Sequence, residues 1–161
     1  MNERKILISQ YHAALEMLKQ TLLRCPESLW NSRDTRSPFW QIAYHALFYT
    51  HLYVQDSEQT FTAWSKHRKE YQFSDQVPLP PHESPDKATV LEYLAFCEQQ
   101  VMEKMSETNL EADSGFYWLL FNKLELQLYT IRHIQQHVGE LAERLGSHAQ
   151  IEIDWIGSRH G

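Results

Sequence analysis

No apolar run in this sequence approaches the roughly 20 residues that cross a bilayer, and the start, MNERKILISQ, has no apolar core of signal-peptide length. The expectation is a cytoplasmic protein with no membrane partner. Cysteine is scarce. Cys25 and Cys97 belong to no C-x-x-C pair and define no disulfide framework, which fits a reducing compartment. Cys97 falls on a helical apolar stripe, the position of a buried, inert thiol. Positive charge is also short: the formal net charge is −6, which argues against a nucleic-acid or anionic-membrane partner. The one basic cluster, KHRK at 66–69, is followed by Glu70 and reads as a solvated connection rather than a phosphate-binding patch.

Several chemistries are missing outright. The sequence has no G-x-S-x-G elbow, P-loop or dinucleotide fingerprint. No Glu stands three residues before any histidine, so the Glu-x-x-His pairs of carboxylate-bridged di-iron bundles are absent, and so is H-E-x-x-H. There is no internal repeat and no low-complexity tract.

What is present suffices for a single domain spanning residues 1–161. A chain of this length buries roughly 70% of its extended surface on folding, so it needs neither disulfides nor a metal to hold a core. Its 42% apolar content is ordinary, and five Trp and eight Tyr supply aromatic packing.

Four segments carry helical periodicity. Ile8, Tyr11, Leu15, Leu18 and Leu22 form one stripe, in a helix that ends before Pro26. A second helix starts with Ser37 as N-cap and Pro38 in the first turn, and runs toward residue 57 with Phe39, Ile42, Ala46, Tyr49, Leu52 and Tyr53 on its stripe. The pattern then fails from 58 to 84, where the PLPP stretch cannot continue a helix, so a long crossover is implied. Ser84 and Pro85 repeat the cap-and-proline start for a third helix marked by Val90, Leu94, Cys97, Val101 and Met105. After a break at 109–115 the fourth helix starts at Phe116 or Asn122 and ends at Leu145, with Gly146 as the left-handed residue beyond it. In the tail, Ile151, Ile153 and Trp155 alternate with acidic residues, which suggests an extended piece laid over the helices. The expected fold is all-α, a four-helix bundle with a long crossover between helices two and three.

Such a bundle builds its sites from inward-facing side chains, which draws attention to three histidines. In RHIQQHVGEL, His133 and His137 are four residues apart, about 40° around one helical face, so both imidazoles can address one point. His45 sits between Ile42, Tyr49 and Leu52 on the second helix's apolar stripe. Three neutral imidazoles would hold a divalent transition metal, Zn²⁺ or Ni²⁺ foremost, with a coordination position left open. Spacing leaves a second reading standing, in which all three are core histidines whose nitrogens bond nearby groups. The others have less claim. His51 lies about 120° from His45 and faces away, His12 is off its stripe, and His67, His82, His148 and His160 fall in connections or the tail, where exposure is the default.

With PFWQIAYHALFY at 38–49 and LYTIRHIQQHVGELAERLG at 128–146, the chain resembles the DinB-like family, DNA-damage-inducible four-helix bundles with a metal-enzyme site. In that family a histidine following an aromatic near the start of the second helix joins a late H-x-x-x-H pair to bind one divalent metal. The resemblance implies His45, His133 and His137 as the ligands. It implies a metal-dependent enzyme of thiol S-transferase or hydrolase type, acting on a small-molecule substrate with a low-molecular-weight thiol as one candidate, and it allows a homodimer. Catalytic residues stay unassigned, with Tyr49, one turn beyond His45, and Glu140, about 60° from His137, as weak candidates. The alternative is a non-catalytic bundle that binds a metal or small ligand and acts through association, for which Trp30, Trp40, Trp64 and Trp155 would offer contact surface.

Overall fold

The computed structural model describes residues 2–33, 37–72 and 79–158. The described chain is all-helical, with one isolated bridge between Asp113 and Asn122 in place of any strand ladder among those residues. None of its helices is long and apolar enough to cross a membrane.

Helix α1 spans Glu3–Arg24, capped by the Asn2 side chain on the Lys5 amide, with Glu3 in its first turn and Arg24 in its last, both suited to the helix dipole. Leu7, Tyr11, Leu15, Leu18 and Leu22 are buried as the stripe predicts, while Ile8 lies at the stripe's edge. Pro26 then starts a single turn that the periodicity does not announce, α2 (Glu27–Trp30).

Helix α3 spans Phe39–Tyr53 and ends earlier than expected. Ser37 is not its cap. Pro38 holds that position in an extended conformation, its carbonyl accepting from the Gln41 and Ile42 amides, and the Ser37 carbonyl turns instead to Arg144. The helix is also buried well beyond one stripe: Trp40, Ala43, Tyr44 and Leu47 are as inaccessible as Phe39 and Ile42. The crossover explains this. The described parts of the crossover, residues 54–72 and 79–86, carry three short 3₁₀ turns, Glu58–Thr60, Lys69–Tyr71 and Pro81–Glu83. The Tyr71 ring meets Trp40 and Tyr44 edge-on, at 5.5 and 5.2 Å between centroids, and Trp64 stacks on Tyr93 at 4.7 Å. Within the basic cluster, Lys66 pairs with Glu92 and Arg68 with Glu70 and Glu83.

Helix α4 spans Lys87–Glu107, and its cap is Asp86, which accepts from the Thr89 amide at 2.8 Å, rather than Ser84. Ser84 closes the preceding 3₁₀ turn through the Pro81 carbonyl and also bonds Asn31, which delays the helix start. Helix α5 spans Lys123–Ala149 with Asn122 as cap, the later of the two expected starts. Its end overruns the sequence reading by a turn. Gly146 is helical with open space beside it, and Gln150 takes the left-handed conformation at φ 58°. Beyond it the extended tail runs along α1: Gln20 and Asp154 exchange two hydrogen bonds, Arg24 pairs with Asp154, and Gln10 donates to the Gly157 carbonyl. Ile151, Ile153 and Ile156 pack inward while Trp155 points to solvent. Of the four tryptophans considered as contact surface, Trp30, Trp40 and Trp64 are therefore core residues.

α1 and α3 each pack against both α4 and α5, so the four long helices form a ring in the order α1, α4, α3, α5. One polar chain crosses the ring: the Tyr11 hydroxyl donates to Gln127 at 2.7 Å, and Gln127 donates to the Tyr53 carbonyl. Cys25 and Cys97 are buried thiols, and burial pushes Cys25 up to about 12 and Cys97 well above the ordinary thiol range.

The loop before α5 is tied to the end of α3. Buried Lys123, pushed down to about 8 by desolvation, donates to the Gln55 and Asp56 carbonyls at 2.7 Å each. Gly115 makes this approach possible. It sits at φ 84°, and a Cβ there would overlap the Asp56 carbonyl. Gly115→Ala should therefore destabilise the fold by at least about 2 kcal/mol, combining left-handed strain with the clash. Urea denaturation checks this, and a variant within about 0.5 kcal/mol of the parent would remove the constraint.

Candidate metal centre

His45 reaches the inner edge of α3 opposite α5, and His133 and His137 project from α5 one turn apart toward the same point. The Nε2 of His133 stands 3.2 Å from that of His45 and 3.1 Å from that of His137. The three rings pack at nearly right or tilted angles with centroids 4.6 to 5.1 Å apart. Their candidate ligating atoms all lie within 4.8 Å of one another, the one such group of histidine, cysteine or acidic side chains found among the described residues.

The outer ring nitrogens fix what the inner ones present. His45 Nδ1 lies 3.0 Å from the Gln72 carbonyl, and His137 Nδ1 lies 3.1 Å from a Glu140 carboxylate oxygen. Both partners can only accept, so in neutral rings the protons sit on Nδ1 and both Nε2 atoms carry bare lone pairs. These lone pairs face His133 Nε2. His133 Nδ1 is buried and has no hydrogen-bond partner.

No placement of a single proton on His133 satisfies this arrangement. On Nε2, it meets one of the two facing lone pairs and leaves the other opposed. On Nδ1, it becomes a buried donor without an acceptor, and three lone pairs converge. Either choice costs about 1–3 kcal/mol for an unmet buried polar group. A cation between the rings relieves the opposed lone pairs and leaves only the His133 Nδ1 proton, buried without an acceptor, unmet. Nitrogens about 2.0–2.1 Å from a tetrahedral ion stand about 3.3–3.4 Å apart, and adjacent ones on an octahedral ion about 2.8–3.0 Å apart. The observed 3.1 and 3.2 Å, from His133 to each neighbour, fall between the two, and all three ligating atoms lie within 4.8 Å of one another, so these three residues could hold a divalent metal. Burial, and then His137 and His45, push His133 down to about 3, so its ring is neutral in the range where ligation requires it.

Two further groups support the cluster. Tyr49 packs its ring on His45 and His133 at 4.9 and 5.7 Å between centroids. Glu140 sits on the outer nitrogen of His137 and bridges it to Arg144, whose guanidinium also donates to the Ser37 carbonyl at 2.7 Å. Glu140 is thus placed to orient His137. Sequence reading missed Arg144 and the Gln72 carbonyl. The Glu140/Arg144 spacing of four residues is a signal for the first, whereas a backbone carbonyl in the crossover leaves none. A cavity of about 500 Å³ lined by Tyr129, Arg132, His133, Gln135 and Gln136 opens beside the cluster.

The remaining histidines lie elsewhere. His51 is buried on a different side of α3 against Phe61, Tyr93 and Phe96. His67, expected to be exposed, is half-buried: its ring stacks on Phe48 and its Nδ1 meets the Tyr44 hydroxyl at 2.9 Å, because the crossover folds back onto α3. His148 is exposed but belongs to α5, not to a connection, and His82 is exposed. His12 contacts Met102 across from α1, and His160 lies outside the described residues.

Comparison of the chain with family models, curated proteins and solved structures finds no match.

Replacing His45, His133 or His137 singly by Ala should weaken Zn²⁺ or Ni²⁺ binding by at least about 100-fold, and Glu140→Gln by about 10-fold, while His51→Ala and His148→Ala leave it within about twofold. Competition against a chromophoric chelator measures each. Equal losses at all positions, or none, would overturn the assignment.

Proposed function

We propose that the ring of helices is a four-helix bundle of DinB-like type and that the chain is a metal-dependent enzyme, of thiol S-transferase or hydrolase class. The observation that carries this reading is the convergence of three Nε2 atoms between α3 and α5, two of them locked by their outer hydrogen bonds into the ligating tautomer. A divalent ion held there, Zn²⁺ or Ni²⁺ by the nitrogen-rich donor set, supplies Lewis acidity: it favours the deprotonated form of a thiol or water at its open side and polarises a carbonyl.

The chain's own residues do the rest. The Gln72 carbonyl and Glu140 orient two ligands, Arg144 anchors Glu140 to the start of α3, and Tyr49 shields the cluster from the side. The cavity along Tyr129, Arg132 and His133 is the approach for a small-molecule substrate, a low-molecular-weight thiol among the candidates. A non-catalytic metal-binding protein working through association, with itself as a homodimer or with a partner, is the second reading. It is favoured by exposed apolar side chains, Tyr117 and Leu120 in the loop before α5 and Leu128 on α5.

The test is a turnover panel on protein reconstituted with Zn²⁺ or Ni²⁺: small thiols with electrophiles, and activated esters and amides. Turnover should depend on the metal and fall about 10- to 100-fold or more in His137→Ala. Chelation should lower the melting temperature, and added metal should restore it by mass action. Stoichiometric metal with no metal-dependent turnover across the panel would favour the non-catalytic reading, and failure to bind metal would overturn both.

A further inference from the structure

A second cluster lies across α3 from the histidine centre. His51 follows His45 by six residues, about 120° around the helix by the shorter way, so the two rings leave different sides. His51 is 2% exposed, yet it lines a cavity of about 590 Å³ between the crossover and α4. That volume suits a small organic molecule.

The lining defines the ligand. His51 Nδ1 is 3.2 Å from the Tyr93 hydroxyl, the one hydrogen bond of that buried phenol. Only one arrangement satisfies both groups: the hydroxyl donates to Nδ1, which leaves the proton of the neutral ring on Nε2. Nε2 makes no hydrogen bond among the described residues, so its N–H is a donor available to the cavity that His51 lines. Burial keeps the ring neutral, pushing it down to about 4. Trp64 and Phe96 supply aromatic walls. Two charges line the space. Both Glu103 oxygens already accept amides, from Gln99 and Gln100, whereas the Lys104 ammonium has no ion pair or hydrogen bond. The Gln55 amide is likewise engaged, donating to Gln100 and to the His51 carbonyl. Of the lining side chains, the groups without partners are one N–H, one ammonium, the Thr62 and Ser65 hydroxyls, which can donate to the same anion, and aromatic faces.

We propose that this cavity is a second small-molecule site, independent of the metal centre, that takes a planar organic carboxylate, with its ring against Trp64 and Phe96 and its carboxylate accepting from His51 Nε2–H and Lys104. The ion pair sets the preference for an anion and the aromatic walls the preference for a flat body.

Benzoate is the probe, with benzamide as its neutral counterpart. The full chain is titrated in the presence of chelator, so that no carboxylate can reach a metal, and the His51 ring resonances are followed by NMR. Benzoate should shift them saturably and bind at least about tenfold more tightly than benzamide. Lys104→Met should weaken benzoate about tenfold and leave benzamide unchanged, while His133→Ala alters neither. His51→Gln, which retains a donor but not its position, should weaken both. A non-saturable response, equal binding of the two probes, or a Lys104→Met variant that binds benzoate like the parent would overturn the proposal. None of these outcomes bears on whether the three-histidine cluster binds metal.

Discussion

The burial of α3 is the constraint on which the rest of the molecule depends. A fifteen-residue helix carrying Phe39, Trp40, Ile42, Tyr44, Leu47 and Phe48 has no face that can be left to water. α4 and α5 cover two sides and the crossover closes the third with Phe61, His67 and Tyr71. Because α3 is gripped on every side, its rotation about its own axis is fixed. That rotation decides that His45 meets α5 and that His51 meets the crossover and α4. The two histidine environments are thus two consequences of one packing event.

The same packing sets the chemistry available to each. Toward α5, three imidazoles are forced together closely enough that their lone pairs oppose one another, an opposition that a cation between them would relieve. Toward α4, a single imidazole finds a phenol and keeps one donor over. A site on rigid helices is held more accurately than one on loops, and here the outer hydrogen bonds to Gln72, Glu140 and Arg144 tie the cluster to the crossover and to the start of α3.

Local rules made the helices legible. Tyr11, Leu15 and Leu22, or Val90, Leu94 and Val101, lie in the core as their spacing requires, because side-chain period is a property of the helix itself. Helix ends were less legible, since the same residue types serve several purposes. Ser84 is needed by a 3₁₀ turn, so Asp86 caps α4. Gly146 has space around it and no need of a left-handed conformation, so α5 continues to Gln150. The three histidines could be picked out from a spacing of four residues and a position on an apolar stripe. Their partners could not, because Gln72 contributes a backbone carbonyl and Arg144 reads as an ordinary surface charge until the start of α3 is placed beside it. His67 and His51 were misjudged or passed over for a related reason: their surroundings come from the crossover, whose position no periodicity encodes.

The central claim is that His45, His133 and His137 together hold one divalent ion. X-ray absorption spectroscopy of the protein loaded with one equivalent of Zn²⁺ addresses it most directly, because imidazole rings leave a distinctive outer-shell scattering pattern. Three imidazole nitrogens at about 2.0–2.1 Å, falling to two in the His45→Ala variant, is the predicted result. A shell of oxygens with one imidazole or none, unchanged by that substitution, would contradict it.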